Sequence, residues 1–101
     1  MQALELAEHL KNSQPLLLDV REPWEFDICH LADSTNIPMG QISQHLSMIG
    51  AAEECVVICH HGIRSQQVIQ FLQQQDCDNL INLEGGVDAW ARQVDPDMPV
   101  Y

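Results

Sequence analysis

Residues 59–65 read "CHHGIRS", and they concentrate the reactive side chains of the chain. Cys59 follows the apolar run "CVVI", which reads as a buried strand, and precedes "RSQQVIQFLQQQ", which reads as a helix starting near Ile63 or Arg64. Its sulfur therefore belongs where a strand hands over to a helix N-terminus. Free backbone amides at such a place favour an anion. Gly62 lets the loop bend tightly enough for the amides from His60 to Ser65 to turn inward as an anion-binding nest. A thiol so placed ionises readily. Arg64 adds a fixed positive charge at the rim. The pattern suits a thiolate, or an anion attached to one.

Other readings of these residues are simpler. A cysteine closing a buried strand is often only a small core residue, but the glycine, the arginine and the helix start at fixed spacing argue against that for Cys59. His60 and His61, taken singly, read as ordinary loop residues. A metal site from Cys59, His60 and His61, with Cys29 and His30 brought from elsewhere, would need three consecutive ligands to turn onto one ion. No zinc-type spacing is present, so neither a metal nor another cofactor is expected. Cys55 and Cys59 share one strand, with Cα atoms roughly 13 Å apart at about 3.3 Å per residue. A disulfide needs about 4.4–6.8 Å. With Cys29 and Cys77, they are expected as reduced thiols.

The elements that must position this loop alternate along the chain. "ALELAEHL" places Leu6 and Leu10 on one side of a short helix. "PLLLDV" is a strand, "REPWEFDICH" keeps no clean period, and "STNIP" is a short strand. "MGQISQHLSMIG" aligns Ile42, Leu46 and Ile49 on one helical face, with Gly50 as its stop. "CVVIC" is the clearest strand. The following helix aligns Val68, Phe71 and Leu72. "NLINL" reads as a strand, "GGVDAWARQV" as a helix, and "DPDMPVY" as an extended tail. Alternation of this kind predicts an α/β fold with a parallel sheet covered by helices on both faces. The site would then lie beyond the carboxyl ends of the strands.

The 101 residues suit one domain, 1–101, with no repeat or linker. Fifteen acidic residues against four Lys+Arg give a formal net charge of −11. Such a field repels phosphate backbones, so nucleic acid is not an expected partner. A basic protein could be. The cations Lys11, Arg21, Arg64 and Arg92 are scattered along the chain. No apolar run approaches the roughly 20 residues of a membrane span. The opening "MQALELAEHLKN" lacks a secretory pattern, so a cytoplasmic protein without a membrane partner is expected if Met1 is the natural start.

"CHHGIRS" resembles the C-x-x-G-x-[RK]-S-like active loop of rhodanese-type sulfurtransferases. "LLLDVREPWEF" is similar to that family's L-x-D-V-R-x-x-x-E-[FY] segment, "HLADSTNIP" to its G-H-I-x-G-A-x-N-I-P, and "INLEGGVDAW" to its L-x-G-G-x-x-A-W close. The four segments occur in the family's order and cover nearly the whole chain. Cys29 stands where the family has a glycine, and Asp33–Ser34 where it has Gly-Ala. "MQALE" leaves little room for the family's first strand. The resemblance implies a rhodanese-like sheet of four to five parallel strands.

The resemblance also assigns Cys59 the role of taking a sulfane sulfur, holding it as a persulfide and passing it on. The donor would be thiosulfate or a low-molecular-weight persulfide. The acceptor would be a thiol or cyanide, or a sulfur-relay protein. Loop residues His60, His61, Gly62, Ile63, Arg64 and Ser65 would form the anion site, with Arg64 either orienting the donor or bonding the loop from outside. Asp19, Arg21 and Glu25 would be structural polar contacts, and Gly85, Gly86 and Trp90 turn and packing residues. Cysteine phosphatases, some of which share the fold, use C-x5-R, whereas here four residues separate Cys59 from Arg64. The shorter cradle favours sulfur over a phosphoryl group. A non-catalytic module binding a basic protein partner is the remaining alternative.

Overall fold

Three of the chain's apolar runs pair side by side as β1 (Leu16–Asp19), β3 (Cys55–Ile58) and β4 (Leu80–Asn82) in a computed structural model describing all 101 residues. A two-residue strand, β2 (Thr35–Asn36), completes a four-stranded, fully parallel sheet of order β2-β1-β3-β4. Leu16 pairs with Cys55 at one end and Asp19 with Ile58 at the other. All four residues of β3 are buried, as a strand covered on both faces requires.

Two separate cores account for that burial. One face of the sheet presents Leu18, Val20, Cys55 and Val57 to Ile42, Ile49, Val68 and Leu72. The other presents Leu17, Val56 and Ile58 to Leu6 and Val87. Thus α3 (Leu46–Ala51) and α4 (Ile63–Gln74) cover the first face, and α1 (Ala3–His9) and α5 (Gly86–Gln93) the second. The ambiguous segment after β1 is a short helix, α2 (Pro23–Ile28). Pro23 begins it where no intrahelical donor is needed, and Glu25 reaches back to accept from the Glu22 amide at 3.1 Å.

Three expectations are corrected. The single helix expected over 39–50 is a 3₁₀ helix, Met39–Gln44, and then α3, with His45 between them at φ −126°. Gly40 and the polar run after it support an α-helix poorly, and the break still delivers both Ile42 and Ile49 to the core. Gly50 does not stop α3, which runs on to Ala51. On α4 the buried row is Ser65, Val68 and Leu72, whereas Phe71, expected inside, lies about 100° round the helix from Leu72 and is 37% exposed. No fifth strand is present. Met1 alone lies along β4, its amine donating to the Asn82 carbonyl and its carbonyl accepting from the Glu84 amide.

Candidate active site

The carboxyl ends of β1 and β3 bring Asp19, Arg21 and Cys59 to one edge of the sheet. Cys59 is the first residue beyond β3, and α4 begins four residues later. Gly62 makes that short span possible at φ +104°, a conformation that disfavours any side chain. Its amide turns back and donates to Cys59 Sγ at 3.0 Å. The Ser65 hydroxyl, on the first turn of α4, lies 3.3 Å from the same sulfur and bonds the Asn82 side chain at the end of β4. The amides of Ile63, Arg64 and Ser65 have no intrahelical acceptor and donate to no carbonyl elsewhere. The sulfur thus sits on the floor of a loop lined with backbone donors.

From behind, α5 holds this loop. Val87 N–H donates to the Cys59 carbonyl at 2.9 Å, and Asp88 N–H to the His60 carbonyl at 3.1 Å. Gly86, at φ +58°, lies so close that a Cβ there would stand 2.3 Å from the Cys59 carbonyl oxygen and 2.4 Å from that of His60. Gly86 is therefore the seat of the cysteine loop as well as a turn residue.

From the side, a chain of charged groups reaches the loop. Arg21 is fully buried and grips Asp19 through Nε and Nη2 at 2.9 and 2.7 Å. Its remaining N–H groups donate to the carbonyls of Cys29 and Glu25 and to the Tyr101 hydroxyl, the last at 2.8 Å. Tyr101 in turn donates to Glu25 Oε2 at 2.8 Å. Arg64 binds both oxygens of Glu25, at 2.7 and 2.8 Å. Those two bonds hold the Glu25 carboxyl down to about 2 against the opposing effect of burial, with the Tyr101 hydroxyl helping. Glu25 likewise raises Arg64. Burial works against the Arg21 charge, but Asp19 and Tyr101 more than compensate. Burial also pushes the Tyr101 hydroxyl up to about 12, so it remains a donor.

Asp19, Arg21 and Glu25 were expected as structural contacts, and each is spent on protein partners. The sequence allows Arg64 two roles, and in the fold both of its terminal nitrogens are on Glu25, outside the loop. The cations expected to be scattered are partly gathered, since Arg21 and Arg64 meet here, each matched by its own carboxylate. Sequence reasoning missed Tyr101 and Asn82. A lone tyrosine in an acidic tail and an asparagine inside an apolar strand run are the signals that could have found them. His60 stacks on Tyr101 with ring centroids 3.8 Å apart, and on His61 at 3.9 Å. Burial, with His61 second, lowers its pKa. Gly85 caps α5, and Trp90 packs beneath the second core.

The family model described as "Rhodanese-like domain" matches residues 2–93. The chain is 37% identical over 93 residues to the adenylyltransferase and sulfurtransferase MOCS3-1 of Zea mays, a match covering 85% of this chain and 20% of the maize protein. It is 33% identical over 100 residues to the probable adenylyltransferase/sulfurtransferase MoeZ of Mycobacterium tuberculosis, covering 96% of this chain and 26% of that one. The chain thus spans about a fifth to a quarter of these relatives. Among solved structures, a rhodanese-related protein of Thermoplasma volcanium superposes with a TM-score of 0.81 at 33% identity, covering 93% of this chain and 91% of that one.

Proposed function

We propose that this chain, which belongs to the rhodanese-like domain family, transfers sulfane sulfur through a persulfide on Cys59. One observation carries the reading. The Cys59 sulfur already accepts from the Gly62 amide at 3.0 Å, inside a loop whose further amides have no other acceptor. Fixed donors of this kind stabilise negative charge on sulfur without reorganising during reaction. The sulfurtransferase domains to which the chain is homologous support the same reading.

With thiosulfate as donor, the Cys59 thiolate attacks the outer sulfur, the donor's S–S bond breaks, and sulfite leaves with the electron pair. Cys59 then carries a terminal S⁻ within reach of the loop amides. A nucleophilic acceptor, cyanide or a thiolate, attacks that outer sulfur, and the bond to Cys59 breaks to return the thiolate. A low-molecular-weight persulfide would load Cys59 in the same way, releasing its thiol. The longer relatives join an adenylyltransferase to a sulfurtransferase, which supports an acceptor presented by another domain or a sulfur-relay protein.

Phosphate transfer would ask Arg64 to grip phosphoryl oxygens from within the cradle. Here its grip is on Glu25 and its loop is short. Intact-mass measurement after thiosulfate tests the reading. The wild type should gain one sulfur atom and lose it to cyanide as thiocyanate, and Cys59→Ser should gain none. Loading of Cys59→Ser, or Cys59-dependent hydrolysis of an aryl phosphate faster than sulfur transfer, would overturn it.

A further inference from the structure

His60, His61 and Asp88 converge on the side of the loop that faces α5. Each offers one ligand atom, and the three atoms lie within 4.8 Å of one another. An ion bound by nitrogen at about 2.0–2.1 Å and oxygen at about 2.0–2.2 Å holds its ligands roughly 3–4 Å apart. His61 is exposed, and it must turn off its stack on His60 for both ring nitrogens to face one ion.

The backbones that carry the three ligands are already tied to one another. Asp88 N–H is bonded to the His60 carbonyl, Val87 N–H to the Cys59 carbonyl, and Gly86, the first residue of α5, lets helix and loop approach closely. A second observation is independent of the cluster's geometry. His60 Nε2 is buried and makes no hydrogen bond of good geometry, although the ring lies near the Tyr101 backbone, and so poorly satisfied a group in a native fold needs an explanation. Asp88 Oδ2 accepts from Arg92 Nε at 3.1 Å, while Oδ1 takes no hydrogen bond. The net charge of −11 raises the local concentration of cations around the molecule.

We infer that His60, His61 and Asp88 form a binding site for a borderline divalent transition ion, with Zn²⁺ as its type. Two imidazoles and one carboxylate suit Zn²⁺, Co²⁺, Ni²⁺ or Cu²⁺ rather than Ca²⁺ or Mg²⁺. Three protein ligands leave a position open to water or a small anion. The ion would pin the cysteine loop to α5 without using Cys59. Such a site is independent of sulfur transfer, and its third ligand is an aspartate 27 residues beyond His61 rather than Cys59.

Zn²⁺ calorimetry and Co²⁺ absorption on the whole chain test it. One ion per chain should bind, at least about ten-fold more weakly in Asp88→Asn and in His61→Ala, and undiminished in Cys59→Ser. Bound Co²⁺ should show visible d–d bands without a near-ultraviolet thiolate charge-transfer band. In the wild type, sub-stoichiometric Ni²⁺ should broaden the imidazole resonances of His60 and His61 before those of His9, His30 and His45, a readout independent of any variant's folding. A thiolate band, loss of binding in Cys59→Ser, full affinity in Asp88→Asn or His61→Ala, equal broadening of all five histidines, or no saturable binding would each overturn the site.

Discussion

Cys55 and Cys59 bracket the same strand, four residues apart, and are equally hidden, at 0% and 1% exposure. Burial therefore does not distinguish them. Cys55 lies at the amino end of β3 among apolar neighbours, where burial first and nearby Cys77 second push its thiol up to about 12. Its sulfur receives no hydrogen bond. Cys59 lies beyond the carboxyl end of the same strand, where the parallel arrangement opens every β-to-α turn. There the sulfur meets the Gly62 amide, the Ser65 hydroxyl and the start of a 12-residue helix. Polarity of the strand, more than depth in the core, separates the cysteine that meets hydrogen-bond donors from the one set among apolar side chains.

The sharpest way to break this contrast is to unseat the loop while leaving Cys55 untouched. Gly86→Ala places a methyl group against two loop carbonyls at a positive φ. The variant should lose on the order of 3 kcal/mol of stability, and sulfur transfer should fall at least tenfold even where the protein is fully folded. Thermal unfolding with parallel transfer assays reads both. Normal transfer in a folded Gly86→Ala protein would mean that the loop does not depend on α5.

How much of this was legible beforehand follows from range. β3 and Cys59 could be read because an apolar run, a glycine and an arginine stand within a few residues of one another. Asp19, Arg21, Glu25 and Arg64 could be named, but not the Glu25–Arg64 bond, which joins residues 39 apart. Tyr101 lies 80 residues from Arg21 and Asp88 lies on another element, so no local period reports on either. Phe71 was misread because the helical period alone does not say where a neighbouring element stops covering a face, and the break at His45 because Ile42 and Ile49 reach the same core across it.

A smaller effect is expected at the charged side of the site. Glu25→Gln should cost about 1–3 kcal/mol near neutral pH, discounted because Arg64 is 34% exposed. Glu25 has its folded pKa lowered from 4.5 to about 2. The stability it contributes is thus complete above about 4.5 and lost as pH falls towards about 2. Denaturant titrations should therefore show wild type and Glu25→Gln converging near pH 2. A constant gap across that window would contradict the assigned ion pair.

The smallest effect concerns salt. Arg21 and Arg64 are each matched by a carboxylate, so no unpaired side-chain cation of this group draws a dianion from a distance. Between 0.01 and 0.1 M ionic strength, where the Debye length falls from about 30 to about 10 Å, kcat/KM for thiosulfate should stay flat or rise less than about twofold. A basic protein acceptor should show the opposite trend. A steep fall for thiosulfate would place a long-range positive field at Cys59.

Of the four free cysteines, only the one beyond the strand's carboxyl end is expected to carry sulfur. Site-resolved mass spectrometry tests it most directly, on wild-type protein loaded with thiosulfate, trapped by a persulfide-selective alkylating agent and fragmented between residues 55 and 59. The extra sulfur should sit on Cys59 alone, with Cys29, Cys55 and Cys77 unlabelled. Extra sulfur on Cys55, or spread among the four, would contradict it.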